Sequence, residues 1–276
     1  MSTTMAPPQV ARFDDRHAQA TLWHVIRSEW VKFWSVRSTA WTLIVLFIAT
    51  VGISVLASVS TAAQYAQLSP KDKATIDVPM LSVAGIGLSQ LAIAVLGAMI
   101  ITTEYSTGGI RTTLSTVPSR MRVLFAKGLI LAAVSLVIGL LTTFVSFYAS
   151  EPFWQSHHLA VSINDPGVLR AVIGAGLYIM ASALFGFALG TLLRHTAAAI
   201  TLSVALLLIV PPLLSLLPGK WGDTVYKYFT STAGDRIIST LPDHTLLSPW
   251  AGYLTMTIWW AALLALGAWL MNRRDA

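Results

Sequence analysis

Six stretches of about twenty residues contain no Asp, Glu, Lys, Arg or His: Trp41 to Ser60, Met80 to Thr103, Leu129 to Ala149, Ala171 to Leu193, Ala197 to Leu217 and Trp250 to Met271. A helix rises about 1.5 Å per residue, so each run covers the roughly 30 Å hydrocarbon core of a bilayer. Within that core every backbone N–H and C=O must be satisfied inside the segment, which a helix does and an open loop does not. Only 11% of residues are charged and mean hydropathy is +0.69, against about 25% charged in a soluble domain. These features predict an all-α integral membrane protein with six transmembrane helices. The fourth and fifth runs are separated by Arg194-His195-Thr196 alone, which predicts a tight helical hairpin.

An even number of spans leaves both termini on one side, and the lysines and arginines choose which. Twelve fall on the side of the termini, among them Arg27, Lys32, Arg37, Arg111, Arg120, Arg122, Lys127 and Arg194, and six fall opposite. Both termini are therefore expected in the cytoplasm of a multi-pass protein of the bacterial plasma (inner) membrane. The overall net charge of +6 comes from residues that flank spans, which suits anionic lipid rather than nucleic acid, and no nucleic-acid partner is expected. Cysteine is absent, so disulfides and thiolate chemistry do not enter. A long polar and amphipathic segment precedes the first apolar run, unlike a secretory signal, and no cleavage is expected.

Three segments complete the plan: a disordered cytoplasmic tail at 1–20, an amphipathic interfacial helix at 21–38, and a six-span domain at 39–276. Wound as a helix, the second segment gathers Leu22, Trp23, Ile26, Trp30, Phe33 and Trp34 on one side and His24, Arg27 and Lys32 on the other. Tryptophan favours the headgroup region, so the helix is expected along the membrane surface, as a lipid anchor or as a lever that also meets a cytoplasmic partner. Glu29 and Arg37 fall on the apolar side and break the pattern.

Between the second and third spans lies a cytoplasmic loop, 104–128. Gly108-Gly109 loosens the end of one helix, Ile110 to Thr116 has length for two turns, Pro118 ends that piece, and Ser119 is placed to cap the next. Glu104 sits where a span leaves the membrane, with Arg37, Arg111 and Arg120 as candidate ion-pair partners.

Ser28-Glu29-Trp30-Val31-Lys32 through Val36-Arg37-Ser38-Thr39, together with the Glu104 to Lys127 loop, resembles the ABC-2 type permeases of ATP-binding-cassette exporters, in their small six-span actinobacterial form. The resemblance implies a type V exporter-like architecture: a homodimer of permeases bound to two copies of a separate ABC ATPase. It implies a coupling helix seated on that ATPase, mapping to Gly109, Ile110, Arg111, Thr112, Thr113, Leu114, Ser115 and Thr116. The chain lacks a G-x-x-x-x-G-K-[ST] phosphate loop, so it is not expected to be an enzyme; ATP and Mg belong to the partner, and no cofactor is expected here.

Ser182, Gly186 and Gly190 give the fourth span a smooth face for close helix packing, within the chain or between copies. Pro211-Pro212 is expected to kink the fifth span as a gate or a structural bend. The polar segment 218–249, with Val225, Tyr226, Phe229, Ile237, Ile238 and Leu241, is too apolar for a solvated linker. By resemblance it forms short helices dipping into the outer leaflet. His157-His158 lacks ligand spacing for a metal, and no catalytic constellation is present.

The reading is a permease subunit for ATP-driven efflux of an amphipathic or hydrophobic substrate: a drug, peptide antibiotic or lipid. Its alternatives are an ion-coupled secondary transporter, whose usual intramembrane charges are missing, a membrane-embedded enzyme, and a non-transporting antibiotic immunity or sensing protein on the same scaffold.

Overall fold

The computed structural model describes residues 21–108 and 120–273, and among these every regular element is helical. Helix α1 (Leu22–Ser35) starts behind Thr21, whose hydroxyl accepts from the His24 amide, and stops where Val36 turns extended. Helix α2 (Arg37–Gln64) follows at once and runs longer than the 41–60 stretch at both ends. After a 3₁₀ turn at Tyr65–Gln67 come two single-turn helices, α3 (Pro70–Lys73) and α4 (Val78–Leu81), capped by Ser69 and Asp77. The long helices α5 (Ile86–Ser106), α6 (Arg120–Gln155) and α7 (Val168–Leu193) then form the heart of the bundle.

The hairpin after α7 turns on Arg194, which adopts a left-handed φ of 56°, and on His195, whose ring nitrogen caps α8 (Thr196–Val204). A π turn at Ala205–Ile209 leads into α9 (Val210–Leu214). Segment 218–249 folds as α10 (Gly219–Tyr228), α11 (Thr230–Asp235) and a connecting loop, and α12 (Pro249–Arg273) closes the chain. Six of these stretches are long and apolar enough to cross a membrane.

The second span begins at Ile86, six residues later than its apolar run. Asp77 caps α4, and successive tight turns carry the backbone to Gly85, whose amide donates to Ser54 Oγ at 3.0 Å. A side chain at Gly85 would overlap the Thr50 backbone, so α2 comes this close only because Gly85 has no Cβ. Trp154 of α6 donates to Ser82 Oγ at 3.0 Å and ties the same turn to a third helix.

Helix α7 is the most buried span and packs against α5, α6 and α12. Its face of small residues meets α5: a methyl at Gly186 would overlap the Ala94 carbonyl, and one at Gly97 of α5 the Ala183 carbonyl. Ser182 is fully buried and returns its hydroxyl to the Tyr178 carbonyl at 2.8 Å, so it leaves no unsatisfied donor in the contact. Gly139 and Gly176 make the equivalent approach between α6 and α7, which the four-residue spacing of Ser182, Gly186 and Gly190 did not reveal. Without a hydrophobic drive between helices in lipid, such backbone-to-backbone packing supplies much of the cohesion.

Proline removes an amide and collides with the carbonyl four residues back. The π turn at Ala205–Ile209 lies immediately ahead of Pro211-Pro212 and is a recognised cause of bending in helices. At this end of the bundle Phe229, Ile237 and Ile238 are buried while Val225 and Tyr228 are exposed. The loop after α11 is held by charges: Asp77 accepts from Ser239 Oγ (3.0 Å), Thr240 N (2.6 Å), Thr240 Oγ1 (2.8 Å) and Leu241 N (3.3 Å). Arg170 of α7 donates to the Ile237 and Ser239 carbonyls at 2.8 and 2.9 Å.

Candidate functional site

At the opposite end of the bundle, four charges from three helices meet in a partly dry junction. Lys127 lies two turns into α6 and is 6% exposed; its ammonium donates to Glu29 Oε2 of α1 at 2.6 Å and to Glu104 Oε1 of α5 at 2.7 Å. Lys32, one turn along α1 from Glu29, reaches Glu29 Oε1 at 2.8 Å and lies 3.6 Å from Glu104 Oε1. Two carboxylates and two ammonium groups sum to zero, which is what makes the burial tolerable. Partial burial works against the Lys32 ammonium, but Glu29 and Glu104 offset it and raise its pKa above the usual lysine value.

Glu29 explains its own anomaly. It lies one turn from Val25 and one from Phe33, and these three are the buried residues of α1. The helix therefore turns Val25, Glu29 and Phe33 toward the protein. Leu22, Trp23, Trp30 and Trp34 face outward, so the apolar stripe divides into a protein-facing row and an exposed aromatic row, with Ile26 partly buried between them. Trp30 and Trp34 stack edge to face at 5.8 Å on the exposed side.

The ion pairing expected of Glu104 needs correction. Among the described residues its salt bridges are to Lys127 and Lys32, not to Arg37 or Arg120. Arg37 is exposed on the first turn of α2. Arg120 donates to the Met271 carbonyl at 2.8 Å, and Arg194 to the Leu270 carbonyl at 3.4 Å, so both arginines neutralise the C-terminal end of α12. Arg194 also lies over the Tyr105 ring at 5.2 Å. Open carbonyls at a helix end attract a guanidinium as strongly as a distant carboxylate does, and sequence spacing gives no sign of which is near.

Arg111 and the whole of Gly109 to Thr116 lie outside the described residues, as do residues 1–20. The two flanks of that stretch are described: α5 ends in Thr107 and in Gly108 at φ 70°, a left-handed helix stop, and α6 begins at Arg120. Glu104 is four residues before Gly108 and Lys127 seven after Arg120, so both flanks are fastened to α1 through one ammonium group.

A cavity of about 470 Å³ opens beside the junction, with Phe33, Val36, Leu96, Ile100 and Ile130 on its walls and the four charged residues at one side. The arrangement offers no nucleophile with an adjacent base. Its evident capacity is mechanical: α1, α5 and α6 cannot separate here without leaving a buried charge unpaired.

Residues 25–211 match the family model described as ABC-2 family transporter protein. The chain belongs to the ABC-2 transporter family. In this ABC-2 permease the match spans the charged junction and the first five membrane helices as far as Pro211, while α10, α11 and α12 lie beyond it. Membership makes the chain a membrane transport component, of a kind that works with an ATPase of the ATP-binding-cassette class, and not itself catalytic. No curated protein sequence matches the chain.

Proposed function

We propose that this ABC-2 permease is the membrane subunit of an exporter. Two copies form the path and two ATPase subunits dock at the end bearing α1, which is the cytoplasmic end of a plasma-membrane protein. The supporting observation is the Glu29–Lys127–Glu104 junction, which joins α1 to the helices on both sides of 109–119. A displacement of Gly109 to Thr116 by the closing ATPases is carried through this joint into α1, α5 and α6 together. The exported compound is amphipathic or hydrophobic, because the spans provide almost no charge to replace the hydration shell of an ion.

The deciding experiment reconstitutes the chain with its ATPase and follows efflux and ATP hydrolysis together. Substrate-stimulated hydrolysis with net outward transport is expected. A chain that moves or sequesters the compound equally well without any ATPase overturns the export reading. Lys127→Met, in a complex that still assembles, is expected to lower transport at least tenfold, about 1.4 kcal/mol, while ATPase binding persists.

A further inference from the structure

Helix α12 meets the bundle along a narrow side and turns most of its length outward, with Trp250, Leu254, Ile258 and Trp269 exposed. Its closest approaches to neighbouring backbone lie near its two ends. At the end that carries the charged junction, a methyl at Gly267 would press on Thr191 and on the Leu192 amide of α7. One turn beyond, the Arg120 guanidinium donates to the Met271 carbonyl at 2.8 Å, and Met271 is buried. At the opposite end a methyl at Gly252 would overlap the Ala233 carbonyl of α11. Trp259 donates to the Tyr228 carbonyl just before α11 at 3.0 Å, and Arg236 just after it directs its guanidinium to the Leu247 carbonyl at 3.3 Å. Between the two ends Trp260, Leu263 and Leu264 pack by their side chains.

The spacing of these points is that of a lever. Gly267 stands four residues from Met271 and fifteen from Gly252, about 6 and 22 Å along a helix. A stiff helix that pivots where it touches α7 therefore moves its far end roughly four times as far as its near end. The far end bears on α11, which with the loop after it walls a cavity of about 610 Å³ through Asp235, Arg236, Ile238 and Leu246. That wall is dry enough that burial pushes the Asp235 carboxyl up to about 6, with Arg236 opposing.

A guanidinium on the last carbonyls of a helix is by itself only a cap. Arg194 already serves as one on the neighbouring Leu270 carbonyl at 3.4 Å, and it belongs to the turn that follows α7, the stationary side of the pivot. Arg120 stands elsewhere. It is the first residue of α6 and borders 109–119, so it is fixed to the flank on which the ATPase is proposed to act.

We propose that Arg120 is a positioning residue for transport: its hold on the Met271 carbonyl makes α12 a lever that carries a displacement of the 109–119 flank to α11 at the far end of the bundle. This rests on the reading of the chain as an ATPase-driven permease. Rigid elements with two arrangements are what carry such coupling over a membrane's thickness.

The first test needs no ATPase and follows amide hydrogen exchange of the full-length chain in nanodiscs. Arg120→Gln is expected to speed exchange several-fold in the last turn of α12 and also at 230–235, leaving α1 and α2 unchanged. A response confined to the last turn of α12 would make Arg120 a local cap and overturn the proposal. The second test uses the complex with its ATPase and spin labels at Ser156→Cys and Asp223→Cys, both exposed. ATP should shift the distance between the labels in the wild-type background. Arg120→Gln should abolish the shift while leaving the nucleotide-free distance in place, Arg120→Lys should keep part of it, and Arg194→Gln should keep most. A transporting complex with no shift, a shift that survives Arg120→Gln, or one lost equally in Arg194→Gln overturns the lever. If no ATPase binds the wild-type chain, the export reading falls and the lever loses its driver, while the exchange result still reports whether Arg120 holds α11.

Discussion

Lys127 concentrates the argument at the scale of a single residue. Its ammonium has 2.6 and 2.7 Å contacts to carboxylates from two other helices, and its removal leaves Glu29, itself 4% exposed, facing apolar walls with Lys32 alone. Breaking a buried pair on one side costs about 3–5 kcal/mol. Lys127→Met is therefore expected to lower the thermal midpoint in detergent by on the order of 10 °C. An unchanged midpoint in Lys127→Met would mean the junction is solvated. Asp235 makes the opposite case. Its carboxyl titrates near 6 when folded against 3.8 otherwise, so the folded chain holds a proton that the unfolded chain releases between those values. Stability then declines as pH rises from about 4 to about 6 and levels off above. Asp235→Asn should remove that slope, with a midpoint a few degrees above wild type at neutral pH and no difference near pH 4 in a thermal-melt series.

Among the elements, α1 shows how a single helix serves two solvents. Its Val25, Glu29 and Phe33 row is locked to α6 and α5, while Trp23, Trp30 and Trp34 remain 69, 46 and 44% exposed, where headgroups can receive them. Replacing these three tryptophans by glutamate is expected to weaken the membrane attachment of α1 without melting the six spans. Increased cleavage by trypsin at Arg27 in proteoliposomes reads this out. The α5–α7 crossing is a matter of backbone contact. Gly186→Leu must push the Ala94 carbonyl away, so it should destabilise the bundle by at least about 1–3 kcal/mol, as overpacking does, and Ser182→Ala should be close to neutral. Helical content after mild heating would separate the two.

For the whole molecule the decisive quantity is sidedness. The chain contains no cysteine, so each introduced thiol is unique. With both termini in the cytoplasm, a membrane-impermeant maleimide should label Ser156→Cys and Asp243→Cys in intact cells, and Arg27→Cys only after lysis. All three positions are solvent-exposed in the fold. The reverse pattern would move the proposed ATPase contact to the wrong side of the membrane.

Length and hydropathy alone were enough for the number of spans, the Arg194–His195–Thr196 hairpin and the existence of an amphipathic entry helix. These depend on one-dimensional quantities: the thickness of the hydrocarbon core, the rise of a helix and its 3.6-residue period. The resemblance to the family was also written locally, in the segment from Ser28 to Thr39 and in the Glu104 to Lys127 loop. The partners of charges were not. Glu29 looked like a flaw in a pattern until Lys127, 98 residues away, was found against it. Of the arginines expected beside Glu104, Arg120 instead neutralises the end of α12 and Arg37 is exposed on α2, and Asp77 gave no hint that it holds a loop more than 160 residues further on. The start of the second span shifted for the same reason, since Gly85 had to meet Thr50 on α2. A periodicity tells which side of a helix is apolar, but an ion pair or a backbone contact is a property of two helices. Its location is decided only when the bundle has packed.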